Sequence, residues 1–572
     1  MAGKEYDVVV RGGTVFDGTG APPVEADVAI TGGRIAAVGA GLAAGAEEID
    51  ARGKVVTPGF VDVHTHYDGQ AVWDDEMSPS SWHGVTTAVM GNCGVGFAPC
   101  RPSDRDRLIE LMEGVEDIPS PVMHEGLTWE WESFPEFLDV LDKGARDIDL
   151  CALVPHAPVR VFVMGERALR LEPATEADMA QMRSIVADGL RAGALGVSTS
   201  RTTNHQSATG DYTPTLRALE DEIQSLVSGI EDAGHGFLEL VTELNTRDVL
   251  DEFAMLRRVI SRSKVNTFFS LTQNRTVPDL WRELMDFADD AISEGIPIRP
   301  VVAPRPIGML LGLEASQNPF AGTATYRRIA DLPLDQRVAE MRKPEVRRRI
   351  LSEDPTEFST FIFLSRIPYS NMFRFGNPQN HTPGPEDSVA AQAARESREP
   401  AEVAYDILLE DGGTGLIYTP FNNYHEHSMA ACEEMLRNPN TVMGLGDGGA
   451  HVGFILDAGF PTWLLSYWVR DRQAFPLEEG IRRLTSDTAG AAGLTDRGRL
   501  ATGLRGDVNV IDVDALNAGY PYVAFDLPLG GRRLLQRVSG YDATLVNGQV
   551  TYRNGEPTGA RPGRLVRAGN RS

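Results

Sequence analysis

Apolar and polar positions follow two rhythms along this chain, and the change from one to the other divides it. Residues 6–50 are short apolar runs broken by paired glycines: Tyr6–Arg11 before Gly12-Gly13, Ala26–Ile30 before Gly32-Gly33, then Arg34–Gly39. That spacing predicts strands joined by tight turns. The far end repeats it in Asp507–Val513, Tyr541–Val546 and, across Asn547-Gly548, Gln549–Tyr552. Asn-Gly between apolar runs is a hairpin signal, because both residues tolerate positive φ. Chain termini often lie close together, so the two ends, 1–57 and 490–572, are expected to build one small β-sandwich.

Between them, strand-like runs alternate with two-faced helical stretches such as Thr175–Ala192 and Leu216–Ala233. The strand candidates are Val55–Val63, Thr86–Met90, Leu150–Val154, Gly193–Ser198, Gly236–Val241, Thr267–Leu271, Ile296–Val302 and Thr441–Leu445. Alternation of this kind predicts an α/β fold with a parallel sheet, and eight such units close a (β/α)8 TIM barrel, here over 58–489. Residues 303–440 are too long for one crossover. They carry Pro304-Arg305-Pro306, Arg342-Lys343-Pro344 and a helical run over Pro400–Glu410. An insertion between the last two strands, lying over the barrel mouth as a lid, is the expectation.

The sharpest chemical signal ends the first barrel strand: Gly59-Phe60-Val61-Asp62-Val63-His64-Thr65-His66-Tyr67-Asp68. Alternate strand residues share a face, so His64 and His66 point the same way. They do so at the C-terminal end of a barrel strand, where active sites of this fold lie. Two neutral imidazoles there suit zinc or a similar divalent metal. His425 and His427 repeat the spacing ahead of a helix, where residues two apart diverge, and read as surface positions.

Composition adds limits. The net charge is −27, which repels phosphate backbones and argues against a nucleic-acid partner. The four cysteines, Cys93, Cys100, Cys151 and Cys432, are too few for a disulfide framework in so long a chain and fit a reducing cytoplasm. No apolar run is long enough to span a membrane, so no membrane association is expected. Barrels of this size often self-associate, which makes a homo-oligomer an expectation.

Val55–Asp68 resembles the first barrel strand of the amidohydrolase superfamily. Gly91-Asn92-Cys93-Gly94, Ala194–Ser200 and Leu445-Gly446-Asp447-Gly448 are most similar to its D-aminoacylase (N-acyl-D-amino-acid deacylase) branch. The likeness runs from Val10–Gly20 to Gly559–Arg564. It implies that His64, His66 and Asp447 bind metal, with Cys93 as a thiolate ligand, and that Asp447 is the catalytic proton carrier. His156, Arg201 and His205 sit at strand ends where the family's pocket lies and are candidates for substrate binding. His451 is either a second partner there or a turn residue.

The departures matter as much. Where the branch has a metal-binding histidine after the fifth strand, this chain has Thr242-Glu243-Leu244, and Glu243 is the weak substitute. After the sixth strand it has Leu271-Thr272-Gln273 instead of a histidine followed by a basic residue. One zinc ion is therefore expected, with a second ion on Cys93 and Glu243, or another divalent metal, left open. The implied activity is hydrolysis of a small-molecule amide, foremost an N-acyl D-amino acid. The missing basic residue keeps open a cyclic amide, imide or lactone, with Arg201 or Arg275 as replacement anchors. The missing imidazoles keep open a barrel that binds a ligand without turnover.

Overall fold

The computed structural model describes residues 5–355 and 367–569. The ends of the predicted terminal domain (1–4 and 570–572) and part of the insertion (356–366) lie outside the described residues.

Strands from the two chain ends pair into one sheet. Tyr6–Val15 pairs with Val24–Thr31 and Gly45–Asp50, and Val24–Thr31 with Arg34–Gly39. From the other end, Tyr541–Val546 pairs with Gln549–Arg553 and with Val508–Ile511. Val55–Pro58 joins the halves, lying parallel to Tyr6–Val15 and antiparallel to Val508–Ile511. The result is a single nine-stranded sheet. Alternate residues of both halves, among them Val8, Val10, Val28, Val56, Val508, Val510 and Leu545, share one apolar cluster. The run Val55–Val63, expected as one strand, is two. The chain turns at Gly59, whose missing side chain leaves room for Thr86, with an added Cβ only 2.1 Å from its Oγ1. Phe60 then starts a different sheet.

That sheet is the barrel: β1 (Phe60–Asp62), β2 (Val85–Met90), β3 (Asp149–Pro155), β4 (Gly196–Arg201), β5 (Phe237–Thr242), β6 (Asn266–Leu271), β7 (Ile298–Val302) and β8 (Val442–Met443). All neighbours are parallel and in sequence order. Closure between β8 and β1 comes past the strand ends, where Thr65 bridges Gly448. His66 N–H donates to the Gly448 carbonyl (2.7 Å) and Asp447 N–H to the His64 carbonyl (3.1 Å). The last seam of the barrel is thus made by the segments that carry the candidate ligands.

Period-two burial sorts the strand side chains. Val61, Val89, Leu153, Phe237, Phe268, Val301 and Val442 form one cluster in the lumen. Their neighbours Phe60, Ala88, Val154, Leu238, Phe269 and Val302 pack with the helices outside. The helices follow the sequence pattern. The predicted Thr175–Ala192 is Glu176–Arg191, started by a reciprocal cap between Thr175 and Asp178; Leu216–Ala233 is Glu220–Ala233.

The barrel floor is locked to the C-terminal segment by buried charges. Arg497 Nη1 donates to Asp149 Oδ2 (2.7 Å) and Thr87 Oγ1 (2.7 Å), and Arg505 Nη2 donates to Asp149 Oδ1 (2.9 Å). Removing one partner would strand a buried charge. Arg497→Ala should therefore destabilise the fold by about 3–5 kcal/mol, read as a lower melting midpoint; an unchanged midpoint would contradict this.

The insertion after β7 has its own core. Ile307–Leu311, Phe373–Arg374 and Ile417–Asn422 form a three-stranded antiparallel sheet. Met309, Leu311, Val338, Met341, Ile407 and Ile417 pack beside it with Phe454 and Ile455 from the segment after β8. The predicted helix is present as Pro400–Leu408. In Ala430–Arg437, Cys432, Met435 and Leu436 belong to the main core.

Candidate metal centre

His64, His66 and Cys93 are buried, and one donor atom from each lies within 4.8 Å of the other two. His64 Nε2 is 3.4 Å from Cys93 Sγ and 3.4 Å from Asp447 Oδ1; His66 Nε2 is 3.8 Å from the same oxygen. The imidazole rings meet edge to face with centroids 5.4 Å apart. Donors of His64, His66 and Cys93 thus gather at the C-terminal mouth, with Asp447 Oδ1 facing the two imidazoles.

The local backbone is bent to do this. Cys93 (φ 55°), Asp447 (φ 49°) and His451 (φ 47°) all occupy the left-handed region, which is uncommon for non-glycine residues and concentrates at functional sites. Gly94 permits the Cys93 turn, since a Cβ there would lie 2.7 Å from the Thr199 backbone. Gly449 does the same for Asp447, with a Cβ 2.7 Å from the His66 carbonyl oxygen.

Two residues that sequence reasoning passed over complete the surroundings. Glu239 projects inward from β5, two residues beyond the lumen residue Phe237. Its Oε2 accepts from Cys93 N–H (3.2 Å), and its Oε1 stands 3.8 Å from His64 Nδ1. Glu116 ends the helix Arg105–Glu116, with Oε1 3.4 Å from His66 Nδ1 and Oε2 3.7 Å from His451 Nε2. The signal for Glu239 was a carboxylate at an inward position of an apolar strand, and such a group is seldom buried without a partner.

The electrostatics ask for a cation. Asp62, Asp68, Glu116, Glu239 and Asp447 surround the site, and among the described residues no Lys or Arg forms an ion pair with any of them. Burial pushes the Glu239 carboxyl up to about 8 and Asp62 up to about 7. It lifts Glu116 and Asp447 well above the carboxylate range, helped by neighbouring carboxylates. Burial, then the nearby carboxylates, raise the Cys93 thiol. Burial, then His205 and His451, hold His64 down at about 3, so both imidazoles of the pair are neutral donors. Neutral imidazoles, a thiol and uncompensated carboxylates are what a divalent transition-metal ion stabilises in their ligating forms. The residues present fit such an ion.

The other predicted residues divide. His205 lies near the cluster, its Nδ1 2.8 Å from Ser200 Oγ, and burial lowers its pKa to about 4. His451 adjoins Glu116, as above. His156 is placed elsewhere: Nδ1 is 2.9 Å from Thr199 Oγ1 and Nε2 3.0 Å from Glu222, which also binds Arg160. Both ring nitrogens are engaged and the residue is fully buried, so it offers nothing to a substrate. Arg201 is held by Glu252 at 2.6 Å and by the Ala218 carbonyl. Glu243 spends its carboxylate on Thr203 N–H (2.9 Å) and Asn245 N–H (3.0 Å) and is not gathered with the histidines. Leu271 packs outward in the helix-facing core; Ser270, not Leu271, is its inward-facing neighbour. His425 and His427 lie in a short turn before Ala430–Arg437, away from the cluster.

A parallel barrel whose mouth gathers this donor set is suited to hold a divalent metal ion. The chain belongs to the amidohydrolase family, whose model matches residues 47–552. It is 25% identical over 574 residues to the D-aminoacylase of Alcaligenes xylosoxydans xylosoxydans, covering 98% of each chain. It is 26% identical over 586 residues to the N-acyl-D-aspartate deacylase of the same organism, covering 100% of this chain and 96% of that one. The structure of N-acyl-D-glutamate deacylase from Bordetella bronchiseptica, complexed with zinc and a phosphonate inhibitor, shares the fold: TM-score 0.65 at 22% identity, over 99% of this chain and 100% of that chain. Over nearly its whole length the chain is thus similar to deacylases of the D-aminoacylase type. Among the described residues no helix is long and apolar enough to cross a membrane.

Proposed function

We propose that this chain hydrolyses the amide bond of an N-acyl amino acid, the D series foremost, using one zinc ion held by His64, His66, Cys93 and Asp447. The observation that carries the reading is the gathering of His64, His66 and Cys93, with both Nε2 atoms facing one Asp447 oxygen. Mixed nitrogen, sulfur and oxygen donors suit zinc. One ion is favoured over two because Glu243 is already occupied and no imidazole follows β6.

When bound, the ion supplies Lewis acidity toward oxygen. The chain's own residues do the rest. The Asp447 side chain is 20% exposed, against 3% for His64 and 1% for His66, so it is the cluster member that reaches the pocket. It takes a proton from the attacking water and returns one to the leaving nitrogen. His205, fixed through Nδ1, presents Nε2 to the acyl carbonyl, and His451 flanks it from the loop after β8.

The substrate's free carboxylate needs a cation. Arg201 is neutralised by Glu252. Arg275, in the loop after β6, is exposed, and no ion pair engages it among the described residues. Its neighbours are fixed, Gln273 N–H to Asn423 Oδ1 (2.8 Å) and Asn274 Nδ2 to Asn245 Oδ1 (2.7 Å), which supports Arg275 as the anchor. A charge-assisted contact is worth about 1.5–3 kcal/mol. Arg275→Ala should therefore lower kcat/KM for N-acyl amino acids by roughly 10–150-fold, mainly through KM, and spare uncharged amides. Assaying both enzymes on N-acyl D- and L-amino acids, neutral amides, cyclic imides and lactones tests the substrate class. Turnover of imides or lactones but of no N-acyl amino acid would overturn it. The exchange of the family's basic residue for Thr272-Gln273 favours that second reading.

A further inference from the structure

Each ligand histidine has a second ring nitrogen, and here both have a buried carboxylate in front of them. His64 Nδ1, Glu239 Oε1, His66 Nδ1 and Glu116 Oε1 are all buried and form no hydrogen bond. They face one another in two pairs, His64 to Glu239 at 3.8 Å and His66 to Glu116 at 3.4 Å. The two Nε2 atoms point the opposite way, toward Cys93 and Asp447. Neither glutamate is explained by local structure. Glu116 is 1% exposed at the C-terminal end of its helix, where the helix dipole disfavours an anion. Glu239 interrupts an apolar strand and is 3% exposed.

We infer that Glu239 and Glu116 are positioning residues for the metal. Each carboxylate accepts the Nδ1 proton of one histidine, fixing its tautomer so that Nε2 is the ligating atom. This rests on the metal-dependent reading above. It adds that the ion's charge is balanced from behind its ligands. Glu239 braces two ligands at once, the His64 ring and the Cys93 backbone. Glu116 braces His66 with one oxygen and, with the other, ties it to His451 on the loop that follows Asp447. Partners of this kind typically change metal affinity by 10–100-fold when removed.

The test compares cobalt(II) and zinc(II) affinities of metal-stripped wild type, Glu239→Gln and Glu116→Gln, by competition with a chromophoric chelator. Glutamine keeps size and an acceptor oxygen but not the charge. Both variants should bind each metal roughly 10–100-fold more weakly. Their cobalt absorption, including the thiolate-to-cobalt band, should keep its wild-type shape. Unchanged affinity overturns the inference, and so does a changed band shape, which would make the glutamate a ligand itself. A wild type that takes up no metal overturns the proposed function together with it. Should either variant fail to fold, 15N-histidine NMR of the zinc-loaded wild type decides: protonated Nδ1 on His64 and His66 supports the inference, and metal on Nδ1 contradicts it.

Discussion

Asp447→Asn should lower kcat by roughly 10²–10⁴-fold, the usual contribution of a positioned general acid–base, and should leave the fold intact. Asparagine can fill the same space and offer an oxygen donor to a metal, but it cannot carry a proton from water to the leaving nitrogen. The seam of the barrel depends on the backbone at this position, Asp447 N–H to the His64 carbonyl, so the side-chain change leaves the closure untouched. Circular dichroism should match the wild type. Turnover within a few-fold of wild type would show that another group moves the proton.

Stripping the metal should have the larger effect on the protein as a whole. Five carboxylates, Asp62, Asp68, Glu116, Glu239 and Asp447, lie in or around the cluster, and among the described residues no arginine or lysine forms an ion pair with any of them. Removing the cation leaves them to repel each other or to take up protons. An ion at about a thousand times its dissociation constant stabilises the native state by about 4.1 kcal/mol. The chelator-treated protein should therefore be inactive and melt at a lower temperature, and zinc should restore both. An unchanged midpoint with full activity would mean that the cluster works without metal.

The barrel and most of its centre were legible in the sequence. The eight strand runs, the two-faced helices and the β-rich ends carry their periodicity locally, and His64-Thr65-His66 announces itself by spacing alone. Cys93 and Asp447 needed the family resemblance. What stayed hidden depends on direction and depth. Val55–Val63 is one apolar run, and only the close approach of Gly59 to Thr86 divides it between two sheets. Glu239 looked like one more position in β5, whereas Glu243, at the strand's end, drew attention; the strand's alternation puts Glu239 in the lumen, and the loop gives Glu243 other partners. Glu116 could not be found from spacing, because it meets His66 only when the helix after β2 folds over the mouth. His156 sits at the right strand end, yet Thr199 and Glu222 claim both of its nitrogens.

Under the proposed function, turnover depends on one divalent ion at His64, His66, Cys93 and Asp447. Titrating zinc into the stripped protein while following hydrolysis of an N-acyl D-amino acid, or of the best amide from the substrate panel, tests it most directly. Activity should be absent at zero metal and should rise to a break at one equivalent per chain. Activity independent of zinc, or no activity at any zinc level on any amide, would contradict it.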